Sequence, residues 1–575
     1  MLTLYTQIAK DLFQFLRIPH IALALIVALL IRWLMSSTIP LGHDETYYWD
    51  WGRNLQWSYY DHPPGVAWLS WLGQLFGGSL LAARFWPPLI HLAATLVLVA
   101  CTTLMAKRSL SKQEAWILFG STQLSPILSA GGIMLLPDIG LIFFMSVFLL
   151  LVFCLALKKD GKAGLENFIL MGLSGGLAFC FKYHAAPMVS GSMLCLLWLR
   201  RVYFKKEFLG WIASVISGLF AIIPVLYWNS QHQWISFFYQ SQHGFGGLEF
   251  HFDWLLRILI AVPLLAGPIL CIMIIRQFFN HWRNSLYFIL GSCIIPLSLL
   301  LLVLSAFKEV LPHWIMPCIW LGIPAAVLAV VDQRYWRWNF IYGGFVLLFL
   351  FSLLAPVKIR NQLPEWLGNK PGGLGQITIW APLVEYLEKI NYRSAQHFSK
   401  QKFVCKWLTS CQFIISENIV NENNGSEIKY IQRDEMSQTI CFSEPQIVSL
   451  RWYWVAQLAF NLPGQPKVLD FDPNHLSYYS FRDQNLELHG CRVIVIGDSR
   501  SFNSNIFYKH LDVYKVNHFK LRSHQDREII ILWGRIKANS PSMLWKNEDN
   551  LTINKSLVSE GYDSLDINKI IQNYK

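Results

Sequence analysis

Eleven apolar runs between residues 20 and 356, each close to the length of one membrane crossing, constrain this chain more than any other feature. A hydrocarbon core about 30 Å thick takes about 20 helical residues at about 1.5 Å each. By that measure the spans fall at residues 20–39, 81–105, 113–131, 137–157, 166–182, 186–199, 208–228, 254–275, 286–306, 312–331 and 338–356. Of the 575 residues only 15% are charged and 54% are hydrophobic, against about 25% charged in a soluble chain. That excludes a single aqueous domain, a disordered chain and a collagen-like one. Lys10 and Arg17 precede the first span and no small-residue cleavage site follows it, so it reads as a retained anchor. Residues 60–80, punctuated by Pro63, Pro64, Gly65, Gly73, Gly77 and Gly78, are too short to cross and read as an interfacial or re-entrant helix. If they paired with a neighbour, the count would become thirteen.

Charge fixes an orientation. The loops on the N-terminal side carry Lys107, Arg108, Lys112, Lys158, Lys159, Lys162, Arg200, Arg201, Lys205, Lys206, Arg276, Arg283, Arg334 and Arg337, fourteen basic residues. The opposite loops offer Arg53, Arg84, Lys182, Arg257 and Lys308. By the positive-inside rule the N-terminus is expected in the cytoplasm, and an odd number of spans puts everything beyond residue 356 outside. The net charge of +12 is then largely a topological signal, and no nucleic-acid partner is expected.

The chain divides at that point. Residues 1–356 hold 22 Lys and Arg with 14 Asp and Glu, and residues 357–575 hold 26 and 22. The second portion is expected to be a soluble extracytoplasmic α/β or α+β domain, with buried strands at 467–471, 492–496 and 528–532 and Gly497 and Gly534 just beyond two of them. Seven of the eleven cysteines lie in apolar runs, where Cys behaves as a small hydrophobe. Cys405, Cys411, Cys441 and Cys491 lie in the polar portion, with pairing open. No CxxC or zinc-type spacing is present. The sequons at Asn424, Asn550 and Asn554 are short matches that matter only in a eukaryotic secretory lumen.

The chemistry-bearing residues gather in the loops of one face. The first external loop holds Asp44 and Glu45, then an aromatic run, then Tyr59-Tyr60-Asp61-His62-Pro63-Pro64. A Pro137-Asp138 pair opens the fourth span, Phe181-Lys182-Tyr183-His184 closes the fifth, and Lys308 and His313 flank the start of the tenth. The loop that begins Trp228-Asn229-Ser230-Gln231-His232 continues to Gln242-His243-Gly244 without a basic residue. Taken singly, each has a plain account: an aromatic belt with solvated acids, an N-terminal carboxylate, a snorkelling lysine. Together they mix acids, lysine and histidine beside a bilayer, where ionisable groups are costly and point to function.

This ordered set resembles the polytopic glycosyltransferases of the protein O-mannosyltransferase and aminoarabinose transferase superfamily, of GT-C type, and most of all the bacterial dolichyl-phosphate-mannose-protein mannosyltransferase-like members. The resemblance runs over about residues 15–356. It implies an α-helical bundle of about 11–13 transmembrane helices with a cavity at its external face, entered from the lipid by a polyprenyl-phosphate-linked sugar. Carried over by position, Asp44 is the essential acid of the first loop, with Glu45 beside it. Asp61-His62-Pro63 stands where aminoarabinose transferases have Glu-Lys-Pro, so His62 replaces a lysine that meets the donor phosphate, and Lys182 matches a second such lysine. Tyr47 stands where those enzymes have an arginine, a departure that bears on donor and acceptor identity.

The expected activity is inverting transfer of a sugar to an extracytoplasmic acceptor, whether protein, lipid or envelope glycan, at a bacterial inner membrane. Asp44 and Glu45 with Asp138 form the catalytic set, Asp44 serving as base or acceptor-orienting group. Asp61, His62, Lys182, His184, His243, Lys308 and His313 form the substrate-binding set, with cationic groups on the donor phosphate. No nucleotide or organic cofactor is expected. A divalent cation stays open, because Asp44, Glu45, Asp61 and His62 offer donors without a fixed ligand spacing. The alternatives are an ion-coupled transporter and a membrane receptor without catalysis.

Overall fold

The computed structural model describes residues 2–158, 164–245, 249–353, 380–394, 445–449, 451–470, 477–482, 491–498, 511–520 and 528–537. The chain forms two compact units, Met1–Thr378 and Ile379–Lys575.

The first unit is helical, and each of the eleven apolar runs contributes helix to it. Among the described residues five helices are long and apolar enough to cross a membrane: Ile21–Thr38, Leu80–Ala106, Pro137–Leu157, Arg201–Gln231 and Ser285–Leu304. Leu165–Phe181, Ala185–Leu199 and Pro312–Val327 are shorter and apolar. Side chains such as Leu23, Leu30, Leu34, Leu209 and Phe220 lie exposed along these helices. An apolar surface of that extent belongs against lipid, and the chain is a multi-pass membrane protein.

Two expected spans break at a proline or a glycine–proline step. The run at 113–131 becomes Lys112–Gln123 and Pro126–Gly131. Pro126 has no N–H to give and holds Ser125 in an extended conformation, so the helix stops and restarts. The run at 254–275 becomes Phe252–Ala266 and Pro268–His281, bent by 102°. Gly267 sits between them at φ +106°, a conformation open to glycine alone, and Pro268 starts the second helix. A further helix, Leu2–Arg17, precedes the first span and was not expected; Ile8, Asp11 and Phe15 are its buried face. Residues 60–80 contain the ten-residue helix Gly65–Gln74, about 15 Å long and too short to cross.

Backbone contact at glycines sets where the loop at 182–184 emerges. A Cβ on Gly172 would lie 1.9 Å from the Ser214 carbonyl oxygen, and one on Gly176 would lie 2.5 Å from that of Gly218. Helix Leu165–Phe181 therefore lies directly on Phe204–Gln231, the small-residue packing that joins helices where lipid removes the hydrophobic drive. Gly191 meets Ser292 in the same way at 2.1 Å.

The second unit is built on a mixed sheet of β1 Gln446–Ser449, β2 Val468–Asp470, β3 Arg492–Asp498, β4 Leu511–Lys520 and β5 Glu528–Ile536, in the order β2-β1-β3-β5-β4. β1 is parallel to β2 and β3, and β5 is antiparallel to β3 and β4. Helix Trp452–Asn461 connects β1 to β2, and Val448, Leu469, Val493, Val495 and Leu532 form the core. The three expected strands are β2, β3 and β5. Sequence reading missed β1, which has four residues, and β4, whose run Leu-Asp-Val-Tyr-Lys-Val-Asn-His-Phe-Lys is too polar for a buried strand but suits an edge. Gly497 and Gly534 lie inside their strands and not beyond them, paired with Ile530 and Val493. A Cβ on Gly534 would come within 2.8 Å of the Asp512 carbonyl oxygen, so the residue permits the close approach of β4. Cys491 is buried. Cys405, Cys411 and Cys441 and the three sequons lie outside the described residues.

Candidate active site

Helix His43–Arg53 starts at Gly42, and its third residue, Glu45, reaches back to accept the Gly42 N–H at 3.0 Å. Carboxylates in a first turn are favoured by the free N–H groups there. Consecutive helical residues point about 100° apart, so Asp44 and Glu45 face different surroundings. Glu45 is fully buried. Its oxygens accept from Arg84 Nε at 2.6 Å and Nη2 at 2.5 Å, and from the Leu135 N–H at 2.9 Å. Arg84 also donates to the carbonyls of Ile39 at 2.6 Å and Pro40 at 3.1 Å. One ion pair thus ties the end of the first span, the Asp44 helix, the approach to Trp86–Ala106 and the turn before Asp138. The sequence alone shows Arg84 only as loop charge. The signal for its role was its pairing with the acid beside Asp44, which one sequence does not display.

Asp44 is exposed while residues 45–52 around it are buried, which puts its carboxyl in a recess. Burial first and the charge of Glu45 second raise that carboxyl to about 6, against the opposing pull of the Lys182 ammonium. Asp61, half-buried in the following loop, is raised to about 7, again by burial first. Its own backbone N–H and the Tyr47 hydroxyl hold it down, and Asp44 pushes it up. The Tyr48 hydroxyl lies well above its ordinary value through burial and then the charges of Asp44, Asp61 and Asp138, so three acids surround one phenol. The His62 ring stands 5.9 Å from that of Tyr48.

Asp138 opens helix Pro137–Leu157, and Lys182 follows Leu165–Phe181 directly. The Lys182 ammonium donates to both Asp138 oxygens at 2.8 Å, and both side chains are buried. Trp314 covers the pair, 6.0 Å from the ammonium and 5.8 Å from the His184 ring. His184 and His313 both feel the charges of Asp138 and Lys182, and His184 also feels His62. Seven of the expected site residues, Asp44, Asp61, His62, Asp138, Lys182, His184 and His313, therefore meet, from five separate stretches of chain.

The others do not join them in the same way. Glu45 is bound to Arg84. Lys308 is half-buried and forms no ion pair among the described residues, while its neighbour Glu309 pairs with Arg257. His243 lies near the end of helix Ile235–Phe245, and its side chain is outside the described residues. That helix nonetheless docks on the first loop: Ser236 donates to the Tyr59 carbonyl at 2.8 Å and Gln240 to that of Asp61 at 2.6 Å. Among the described residues no group of three or more His, Cys, Asp or Glu is placed to hold a metal ion. The set Asp44, Glu45, Asp61 and His62 does not converge, because Arg84 occupies Glu45.

Three comparisons bear on this arrangement. The pattern of the family described as dolichyl-phosphate-mannose-protein mannosyltransferase matches residues 61–228, a stretch that includes Asp61, His62, Asp138, Lys182 and His184. The lipid A galacturonosyltransferase RgtD of Rhizobium johnstonii is 34% identical over 195 residues, 33% of this chain. The chain spans about two fifths of that relative, 38% of its length. The crystal structure of ArnT from Cupriavidus metallidurans in the apo state superimposes with a TM-score of 0.54 at 14% identity, covering 89% of this chain and 97% of that one. The chain has the GT-C fold. ArnT bound to undecaprenyl phosphate gives the same score and coverage. The resemblance read from the loop motifs is borne out by all three, and the seven grouped residues lie in first helical turns and in the loops beside helix ends.

Proposed function

We propose that this chain is a membrane glycosyltransferase that moves a sugar from a polyprenyl-phosphate donor to an acceptor outside the cytoplasm, with inversion. The observation that carries the reading is an open carboxyl, Asp44, raised to about 6 and electrostatically coupled to the buried Lys182–Asp138 pair. A group with that pKa is ionised at neutral pH yet basic enough to take a hydroxyl proton. Lys182 spends two N–H groups on Asp138, which aims the third. The charge left on phosphate oxygens when a sugar–phosphate bond breaks is stabilised best by such a fixed cation in a partly dry site. Asp138 is then an orienting group, and Glu45 acts through Arg84 as a positioning residue. His62, His184 and His313 complete a polar wall beside the phosphate. The lipid-linked donor is supported by the family match over these residues, by the activity named for RgtD and by the lipid bound to ArnT.

The purified protein, given polyprenyl-phosphate sugars and envelope acceptors, is expected to release polyprenyl phosphate in step with sugar transfer. No release with any donor lipid refutes the proposal. Lys182→Ala is expected to lower turnover as well as donor affinity, because its interaction strengthens as the bond breaks. Unchanged kinetics at matched protein level would make Lys182 a structural partner of Asp138 only.

The proposal also needs the site outside the cytoplasm. The asymmetry of fourteen basic residues against five supports that orientation. A reporter active only outside the cytoplasm, fused to the C-terminus, is expected to be active. A silent fusion with an active cytoplasmic reporter would overturn the topology.

A further inference from the structure

Arg32 lies two thirds of the way along the first span, Ile21–Thr38, and is 5% exposed. An arginine keeps its charge in any protein environment, and a buried charge is normally matched by an opposite one. Among the described residues Arg32 has none. Nη1 donates to Gln123 Oε1 at 2.6 Å and to the Ala28 carbonyl at 3.4 Å, and Nη2 donates to Ser129 Oγ at 3.1 Å. All three acceptors are neutral, and among the described residues Arg32 forms no ion pair. Its Nε–H has no hydrogen-bond partner.

The surrounding polar atoms share that condition. Ser36, one helical turn on and completely buried, has an unpartnered hydroxyl, and so does Ser125, in the turn between Gln123 and Ser129. His91, 1% exposed and close enough to feel the charge of Arg32, hydrogen-bonds to the backbone at Thr122 and Leu128 and brings no negative charge. A hydroxyl can donate, as the guanidinium Nε–H must. Water would satisfy these donors but leave the positive charge unmatched. An anion does both.

We infer that the helical unit contains a buried site for a small inorganic anion, held by the Arg32 guanidinium with the hydroxyls of Ser36 and Ser125. The outer nitrogens donate to Gln123, Ala28 and Ser129, which leaves two of the five N–H groups, one on Nε and one on Nη2, to face the anion. The site is separate from Asp44 and Lys182 and does not depend on the proposed transferase activity.

Thermal unfolding of the full chain in detergent, with gluconate replaced by chloride at constant ionic strength, tests this. A saturable rise in Tm on the order of 2 °C is expected, together with no rise in Arg32→Met. Because Arg32→Met also removes hydrogen bonds to Gln123 and Ser129 and can fail to fold, Ser36→Ala supplies a second reading: the midpoint chloride concentration should increase several-fold. Crystals soaked in bromide should show an anomalous peak at Arg32 Nε. A flat chloride dependence without bromide at Arg32 would overturn the inference in favour of buried water.

Discussion

Replacement of Asp44 by Asn is expected to lower sugar transfer by a factor on the order of 10² to 10⁴ while leaving the protein folded, because the amide keeps the shape of the carboxyl but takes no proton. The pH profile gives an independent reading. Transfer by the wild type should fall as pH drops through about 6, the value to which burial lifts the Asp44 carboxyl, since only the ionised form can serve as base. In the Asn variant that acidic limb should vanish from the remaining activity. Stability should move the other way. A carboxyl whose folded value lies above its ordinary 3.8 destabilises the folded state as pH rises from about 4 to about 6, and the deficit persists above that window. Asp44→Asn is therefore expected to be no less stable than the wild type at pH 7.5. Near-wild-type transfer would remove Asp44 from catalysis. A surviving limb centred near 7 would assign the proton to Asp61 instead.

The second large effect lies in the pair beneath it. Arg84→Met leaves the Glu45 carboxylate fully buried with two backbone donors and no cation. Breaking one partner out of a buried pair costs about 3–5 kcal/mol. The loss should appear in thermal unfolding, and activity should fall further than stability accounts for, since the pair joins the helix of Asp44 to the turn before Asp138. Adding Glu45→Gln to Arg84→Met removes the stranded charge and should recover part of the stability, but little activity. A cost below about 1 kcal/mol for Arg84→Met would show that the pair does not hold these segments together.

Much of this molecule is legible in the order of its residues. Membrane crossing follows from length and apolarity alone, because lipid offers a backbone no partner and forces each run into helix. The strands β2, β3 and β5 show as short apolar runs for the same local reason. The breaks were written in the sequence too, as Pro126 and as Gly267 followed by Pro268, but apolarity masked them: a run of hydrophobic residues gives the length of a segment and not its straightness. The edge strand β4 stayed hidden because its pairing with β5 is a long-range contact that leaves no local pattern.

The site divides along the same line. The sequence by itself determined which residue types lie at helix ends, and Asp44, Asp61, Lys182 and the histidines stood out because ionisable groups beside lipid are too costly to be incidental. Only the tertiary structure decided their roles. Asp44 and Glu45 are adjacent in sequence and alike in chemistry, yet the turn of one helix sends the first into an open recess and the second onto Arg84, 39 residues away. Lys182 meets Asp138 across 44 residues for a similar reason: Gly172 and Gly176 let two helices touch, and that contact fixes where the lysine emerges. Charges pair through space, and the distances that decide which pair forms exist only once the helices are packed.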